Sequence, residues 1–441
     1  MSETTFGPQL LPHNNPPQLR ILISNLSHNI PITVFLNSNP SLPDAFETKL
    51  ISTWPNLPET ARNSALQKIL RTVQAHYPVY PPCFSSSPFL HTLPESGELV
   101  VEEKIDPRLI QKLRLPEEII PENACTEPKL YPLSSLHSCL LSQSSPRSWS
   151  SHIQLVTLSP ASKKKYIAKG PTNNFSELRN LLSLPPHPNI IPQPHGLITV
   201  SPTDHRVVGF LLEYYPHGNL DELCSTLTSR PPPERLWSWG RQLVNAIHWL
   251  HIEQKTFHGD IKPDNIIVHP SSSGEERLVL IDFSQDESTA ATAPPEAKGG
   301  GFPRTWSGEA LEKADVYALG RTLYILAKGL SMNELYMELF RDINFVYETD
   351  LEGIDGPIRD MVEMCTRRGP AERPGLGELK KIFEGGDEGK MKMGLGKRQG
   401  WSVVRSAVRI RVGVGRRVSG TVGGRFGEMM QSVVCWGRGG N

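Results

Sequence analysis

Hydrophobic and polar positions change their spacing several times along this chain, and each spacing predicts a different element. Two runs of β-branched and large apolar residues, at 19–23 and 32–36, are separated by Ser, Asn and Pro and predict two strands joined by a turn. After Pro58-Glu59, four apolar residues recur at the spacing of one helical face: Leu66, Ile69, Leu70 and Val73. The stretch 77–94 is rich in Pro and Ser and predicts a linker.

The pattern changes again after residue 130. From 131 to 384 it begins with strands, passes one helix, returns to strands and then becomes mainly helical. This order predicts an α+β fold of two lobes with poorly ordered flanks, in which a small β-rich lobe with one helix precedes a larger helical lobe. Residues 1–130 hold 18 of the 40 prolines, so we expect a Pro-rich region that contains a candidate accessory subdomain and the linker.

The formal net charge of zero conceals an uneven distribution of charge. Residues 390–441 carry 11 Lys or Arg residues, 12 glycines and a single acidic residue, Glu428. Because the stretch 385–441 has few bulky apolar residues that could close a core, it predicts a basic, disordered tail. Contact of this tail with nucleic acid or with an anionic membrane surface is the less favoured alternative.

Composition also bears on location. No run of about 18 apolar residues occurs, so we expect no transmembrane segment. The first ten residues lack a basic stretch followed by an apolar one and do not predict a secretory signal. The six cysteines show no CxxC spacing, which favours reduced thiols over a zinc site or a disulfide framework. The expected location is therefore intracellular, in the cytoplasm or the nucleus.

The most specific chemistry lies in residues 258–268, His-Gly-Asp-Ile-Lys-Pro-Asp-Asn-Ile-Ile-Val, and in Asp282, 17 residues after Asn265. A phosphoryl transfer needs a carboxylate that orients the attacking hydroxyl, oxygen ligands for Mg²⁺ and cations near the moving phosphate. Asp260 can supply the first, and Lys262 supplies a cation. Asn265 and Asp282 offer an amide oxygen and a carboxylate oxygen to the metal. A chance set of Asp and Asn residues on loops is the alternative.

Residues 258–265 resemble the catalytic loop of the eukaryotic-type protein kinases, H-R-D-L-x-x-x-N, and residues 282–284 resemble their D-F-G segment. Lys at position 262 is the form of this loop found in Ser/Thr kinases. The resemblance implies an enzyme that uses ATP and Mg²⁺ to transfer the γ-phosphate to Ser or Thr hydroxyls of protein substrates. It also implies the catalytic residues Asp260, Lys262 and Asn265 and the metal ligands Asn265 and Asp282.

Two positions in these segments depart from the family pattern. Gly259 stands where the family usually has Arg, which pairs with a phosphorylated activation segment. Ser288, Thr289 and Thr292 are candidate phosphorylation sites, but activation through them is less expected without that arginine. Ser284 replaces the glycine of D-F-G and removes some backbone freedom, but the metal ligand Asp before it is retained.

Upstream segments resemble the ATP-holding motifs of the same family. Residues 165–169, Lys-Tyr-Ile-Ala-Lys, resemble V-A-I-K, residues 177–190 resemble its glutamate helix and H-P-N-I turn, and residues 210–220 resemble its hinge, with Leu212 as gatekeeper. A surface lysine on an edge strand and an ordinary strand-turn are the alternatives. The resemblance implies that Ala168 covers the adenine and that Lys169 pairs with Glu177. The full nucleotide-binding set that it implies is Lys169, Glu177, Ala168, Glu213, Tyr215, Ile267 and Leu155.

One motif of the family is missing. Where the family has G-x-G-x-x-G-x-V, residues 141–155 contain no glycine. Side chains hinder a close approach of the backbone to phosphates, although the serine hydroxyls of this segment can bond phosphate. This departure favours an alternative function, that of a pseudokinase acting as a binding scaffold.

Three later segments resemble motifs of the family's helical lobe. They are residues 292–296, similar to A-P-E, residues 313–321, similar to D-V-W-S-L-G, and residues 365–374, similar to the closing R-P motif. The resemblance implies that Asp315 bonds the loop backbone at His258 and that Arg373 pairs with Glu296. Aminoglycoside and choline kinases also begin this loop with His-Gly-Asp, so a small-molecule kinase is a further, less favoured alternative.

Overall fold

The computed structural model describes the chain in fourteen pieces: residues 5–11, 17–24, 32–76, 86–105, 113–139, 153–170, 175–227, 229–270, 276–285, 288–297, 302, 305–341, 349–354 and 356–385. No helix within these pieces is long and apolar enough to cross a membrane. Most of the glycine-free segment, 141–152, and nearly all of the predicted disordered tail, from 386 onward, lie outside the described residues.

The N-terminal part contains a five-stranded sheet in the order β1-β2-β3-β4-β5, with two helices between β3 and β4. Neighbouring strands are antiparallel except β3 and β4, which are parallel. The elements are β1 (Thr5–Leu11), β2 (Gln18–Ser24), β3 (Ile32–Asn37), α1 (Phe46–Thr53), α2 (Glu59–His76), β4 (Ser86–Thr92) and β5 (Leu99–Ile105). Alternate apolar residues of β2 and β3 pack with Leu66, Ile69, Leu70 and Val73 of α2. The two predicted strands and the predicted helix are thus confirmed.

The predicted linker at 77–94 requires a correction, because β4 lies inside it. Phe89 and Leu90 pair with Phe35 and Leu36 of β3, and Leu90 is buried in the core between sheet and helices. The Pro and Ser content of this stretch hid an apolar pair that is buried only after the strand meets its partner. Residues 77–85 lie outside the described residues.

Six strands form the sheet of the small lobe, in the order β6-β10-β11-β9-β8-β7. Only the pair β6 and β10 is parallel. The elements are α3 (Pro116–Ile119), β6 (Lys129–Pro132), β7 (His137–Ser138), β8 (Ile153–Thr157), β9 (Tyr166–Lys169), α4 (Ser176–Ser183), β10 (Gly196–Thr199) and β11 (Val207–Glu213). In α4, Leu178, Leu181 and Leu182 recur at helical spacing and are buried, which packs this helix into the core.

The large lobe is mainly helical. Its elements are α5 (Leu220–Thr226), α6 (Pro233–His248), β12 (Ile266–Pro270), β13 (Glu276–Leu280), α7 (Gly308–Lys328), α8 (Met332–Arg341), α9 (Gly356–Cys365) and α10 (Leu376–Gly385). Every residue from Ala314 to Ala327 of α7 is buried, so α7 is the central helix of this lobe. At Gly320 a Cβ atom would lie 2.5 Å from the Cβ of Cys365, so only glycine lets α9 pack this closely. The predicted α+β fold of two lobes is confirmed.

Glu296 and Arg373 form an ion pair inside the large lobe, as the sequence predicted. The guanidinium of Arg373 is fully buried and bonds both carboxylate oxygens of Glu296, at 2.5 and 2.8 Å. It also donates to the carbonyl oxygens of Lys313, Arg367 and Arg368. Five acceptors therefore depend on one buried cation.

We expect Arg373→Met to destabilise the folded chain by about 3–5 kcal/mol, because it leaves a partly buried carboxylate without its cation. Urea-induced unfolding of the full chain measures this cost. The matched control is Arg368→Met, whose exposed side chain should change stability by no more than about 0.5 kcal/mol. Equal stability of the two variants would contradict the role given to Arg373.

Candidate active site

One buried carboxylate of the central helix α7, that of Asp315, holds the loop that carries Asp260 in place. Asp315 accepts the backbone N–H groups of His258 (2.9 Å) and Gly259 (2.8 Å), and it bonds the ring of His251 at 2.8 Å. Burial works against ionisation, but the hydrogen bond and charge of His251 hold the pKa of Asp315 below its usual value. The predicted bond from Asp315 to the loop backbone is confirmed, and it fixes the loop relative to the central helix.

The glycine at position 259 has a structural cause. Its φ of +89° lies in the region that side chains rarely adopt. A Cβ atom there would lie 3.0 Å from the ring of Phe302 and 3.1 Å from that of Phe257. The two rings pack edge to face over this position, with centroids 5.6 Å apart. The arginine of the family pattern therefore does not fit here without a rearrangement.

Asp260 lies at the centre of the predicted catalytic residues. Its Oδ2 atom accepts from the Nδ2 of Asn265 at 3.1 Å and lies 2.9 Å from the Nζ of Lys262. Its Oδ1 atom accepts the backbone N–H of Thr289 at 2.7 Å, and Lys262 donates to the Thr289 hydroxyl at 2.7 Å. The structure thus brings Asp260, Lys262 and Asn265 together and adds Thr289, which the sequence suggested only as a phosphorylation site.

The two predicted metal ligands lie on connected segments. The Nδ2 of Asn265 donates to the carbonyl and to the carboxylate of Asp260. The amide oxygen of Asn265 is therefore left to face a cation. The backbone N–H of Ile281 donates to the carbonyl of Asn265 at 3.0 Å, so the strand before Asp282 is joined to the loop. Asp282 itself has φ +65°, an uncommon backbone conformation that often occurs at functional sites. One amide oxygen and one carboxylate form a hard-oxygen set that fits Mg²⁺.

A charge cluster, buried at Glu177 and partly exposed at Asp282, joins the two lobes at Lys169. Its Nζ atom lies 2.6 Å from Oε2 of Glu177 on α4 and 3.1 Å from Oδ1 of Asp282. Burial alone would lower the pKa of Lys169, but the charges of Asp282 and Glu177 raise it above its usual value. Burial raises the pKa of Glu177 above its usual value, and the neighbouring charge of Lys169 opposes this rise. The cation thus stays charged between two carboxylates, and the predicted pairing of Lys169 with Glu177 is confirmed.

The prediction that Ala168 covers the adenine is wrong. Successive side chains of a strand point to opposite faces, so Ala168 cannot share the face of Lys169. Ala168 is instead buried in a cluster with Val156, Tyr166 and Leu211, on the other side of the sheet. The residue on the face of Lys169 is Ile167. Counting by two from the lysine would have identified it from the sequence.

Of the other predicted residues, Leu155 and the gatekeeper Leu212 lie beside Ile167. Leu155 of β8 and Leu212 of β11 both stand opposite Ile167 in their strand pairs and share its face. Beyond β11, the hydroxyl of Tyr215 donates to Glu213 at 2.9 Å, and this tyrosine is buried. The segment that follows pairs with β12 through a bridge between Asn219 and Ile267. The described backbone thus brings the segment that follows the hinge beside Ile267.

Two amide side chains that the sequence did not single out tie α4 to the segment after Asp282. The Nδ2 of Asn180 donates to the carbonyl of Phe283 at 2.7 Å and to the side chain of Gln285 at 3.1 Å. Gln285 in turn donates to the hydroxyl of Thr256 and to the carbonyl of Phe257. Amides recur throughout any sequence, so no pattern could have shown that these two meet.

The segments after Asp282 bear on the choice between protein and small-molecule kinases. Residues 288–297 follow the active site as a short segment, which ends at the Glu296–Arg373 pair. The helices α7 and α9 then pack on each other and on α6, and α10 packs on α6. This arrangement of an activation segment and a helical lobe favours a protein kinase.

Comparisons with known proteins agree with this geometry. The family model described as "Protein kinase domain" matches residues 154–382. The probable serine/threonine-protein kinases gdt8 and iksA of Dictyostelium discoideum are 24% and 25% identical over 230 and 254 residues, which cover 50% and 46% of this chain. The tyrosine-protein kinase ABL2 of Mus musculus is 27% identical over 215 residues, or 45% of this chain.

These matches cover only 17%, 26% and 17% of the lengths of gdt8, iksA and ABL2, so the similarity concerns one domain of each relative. The family match itself spans more than half of the chain and includes every residue of the charge cluster and of the catalytic loop. The chain therefore belongs to the protein kinase family.

Proposed function

We propose that this chain is an ATP-dependent protein kinase that transfers the γ-phosphate to Ser or Thr hydroxyls of protein substrates. The observation that carries the proposal is the convergence of two groups of residues. Lys169 and Glu177 meet Asp282 on one side of the cleft, and Asp260, Lys262 and Asn265 meet on the other. A carboxylate, two cations and two oxygen ligands in one cleft are the groups that phosphoryl transfer requires.

Each residue has a distinct part in the proposed reaction. Asp260 orients the attacking hydroxyl and accepts its proton, and Lys262 beside it supplies a positive charge near the transferred group. Lys169 holds phosphate oxygens of ATP, and Glu177 keeps the ammonium in position. Asn265 and Asp282 would hold Mg²⁺, which supplies charge neutralisation on the phosphate oxygens when it is bound. Ile167, Leu155, Leu212 and Ile267 enclose the base, and backbone groups of Glu213 and Tyr215 bond its edge.

Transfer to Ser or Thr rather than Tyr rests on two observations. Lys262 lies two residues after Asp260, as in the Ser/Thr form of the loop, and its contact with the Thr289 hydroxyl places the segment 288–297 close over Asp260. The named relatives include both kinds of kinase. Lys262 therefore carries the Ser/Thr proposal, and its contact with Thr289 keeps it beside Asp260.

A binding scaffold without catalysis is the second candidate. Residues 141–155 lack the glycines that bring backbone N–H groups to the phosphates. The carboxylate of Asp260 also has partners on both oxygens within the chain, and one of them, the backbone N–H of Thr289, cannot be removed by a rotamer change. The attacking hydroxyl of a substrate must compete with that bond.

The remaining assignments are part of the same proposal. The accessory region is 1–130, the kinase domain is 131–384 and the basic tail is 385–441. The partner is a protein substrate, and the location is the cytoplasm or the nucleus. We propose a solvated tail in preference to one that contacts nucleic acid or membranes.

We expect Asp260→Asn to lower phosphate transfer from radiolabelled ATP to a Ser/Thr peptide mixture by about 10²–10⁴-fold, because the amide cannot accept the proton of the hydroxyl. A tyrosine peptide mixture should show no transfer with the wild-type chain. The matched control is Asp204→Asn on an exposed loop, where the carboxylate pairs only with its neighbour Arg206. Equal rates for the two variants would contradict the role of Asp260.

We expect Mg·ATP to raise the stability of the wild-type chain by about 2.7 kcal/mol at a hundredfold excess over its Kd. Differential scanning fluorimetry should show the corresponding rise in Tm. Lys169→Met and Asp282→Ala should abolish most of this rise, since they remove a phosphate contact and a metal ligand. EDTA should do the same.

The two assays together separate the candidates. A rise in Tm with Mg·ATP but no transfer would favour the scaffold, whereas neither rise nor transfer would exclude the enzyme. A rise that survives in Asp282→Ala and in EDTA would contradict the metal site.

A further inference from the structure

A segment upstream of the family match packs against the small lobe. We call residues 113–132 the strap. Twenty-one residues, 133–153, separate the end of the strap from the start of the match at 154. Ile119, on the short helix α3, is 1% exposed and belongs to the same apolar core as Leu178, Leu181 and Leu182 of α4. The strap therefore shares a core with the helix that carries Glu177.

Polar contacts join the strap to the C-terminal half of α4. The guanidinium of Arg179 donates to the carbonyl of Glu118 at 2.9 Å, and the backbone N–H of Cys125 donates to the carbonyl of Leu182 at 3.0 Å. Ser183 donates to the side chain of Asn123 at 3.2 Å. The last carbonyls of a helix have no partner within the helix, so the strap satisfies a group that α4 cannot satisfy itself.

The two ends of the strap are fixed to the sheet. The N-terminal end accepts the backbone N–H of Val207 at the carbonyl of Arg114, at 2.8 Å. The C-terminal end is β6, which pairs with all of β10 in a parallel register from Gly196↔Lys129 to Thr199↔Pro132. Since both ends are held by strands, the middle of the strap can act as a fixed support for α4.

The helix α4 needs such a support. It has eight residues, and an isolated helix of that length is unstable in water. Its N-cap residue, Phe175, has φ +65° and makes no side-chain cap bond. On its inner side α4 is held by the bonds of Asn180 and by the Glu177–Lys169 pair. On its outer side it is held by the strap.

We propose that the strap positions α4, so that the functional kinase unit begins at about residue 113, upstream of the boundary at 131 assigned above, and Ile119 is a positioning residue for the Lys169–Glu177 pair. The strap makes no contact with ATP in this proposal; it acts by keeping α4 against the sheet. Its effect on catalysis rests on the proposed function, whereas its effect on the order of α4 does not.

The test uses the full chain and two variants at the contact between the strap and α4, one on each side, which we call the strap variants. Ile119→Ala removes the apolar anchor, and Arg179→Met removes the bond to Glu118 while it keeps an exposed side chain of good helix propensity. The matched control is Ile252→Ala, since Ile252 is 44% exposed. Ile119→Leu tests rescue. Arg179→Met decides the test if Ile119→Ala does not fold.

Amide hydrogen exchange measures the order of α4 whether or not the chain is an enzyme. We expect exchange across Ser176–Ser183 to become about tenfold faster in both strap variants, with α7 unchanged, and to return to wild-type rates in Ile119→Leu. Unchanged exchange in α4, or equally faster exchange in α7, would overturn the proposal. The second result would mean a general loss of stability.

Kinetics then test the catalytic consequence. If the wild-type chain transfers phosphate, kcat/KM for Mg·ATP should fall about tenfold in the strap variants, while the KM for the peptide stays the same. Ile252→Ala should match the wild type. Faster exchange in α4 with an unchanged kcat/KM for Mg·ATP would overturn the positioning role. Absence of transfer in the wild-type chain would instead count against the proposed function, and exchange in α4 would still decide whether the strap orders the helix.

Discussion

One ammonium group sets the relation between the two lobes. Lys169 on β9 contacts Glu177 on α4 and Asp282, which lies 113 residues further along the chain. A buried lysine without partners would lose its charge or unfold its surroundings, so the cluster is stable only when all three elements meet. The charge interactions of Lys169 therefore fix the positions of β9, α4 and the segment after β13 relative to one another. These positions define the cleft between the lobes.

A second constraint fixes the other side of the cleft. Asp315 takes both N–H groups of His258 and Gly259, and the ring of His258 bonds the carbonyl of Ile281 at 2.9 Å. The catalytic loop is thus tied both to the central helix and to the strand that delivers Asp282. The adjacent residues Ile281 and Asp282 thus contribute to both constraints and connect the loop of Asp260 to Lys169.

Features that depend on the local sequence pattern were predicted correctly, whereas features that depend on contacts with distant residues were not. Asp260, Asn265 and Asp282 stand in a spacing specific enough to be identified alone, and the buried face of α2 followed from periodicity. Ala168 was assigned to the wrong face of the sheet because the segment was aligned to the family motif by residue identity alone. The alternation of side chains along the strand was not considered. The contacts of Thr289 and Asn180 join residues far apart in the chain, so no local sequence pattern predicts them. The strand β4 was missed because its Pro and Ser residues are typical of a linker.

The activation segment shows how a missing family residue is compensated. With Gly at 259, no arginine stands there to bind a phosphorylated residue, yet the residues 288–297 are held at three points. Arg321, buried in α7, donates to the carbonyl of Ala291 at 3.1 Å, Lys262 bonds Thr289, and Arg373 pairs with Glu296. All three anchors are cations that are present without modification. A short segment has little conformational entropy to lose, so these fixed cations can hold it where a longer segment would need an added phosphate.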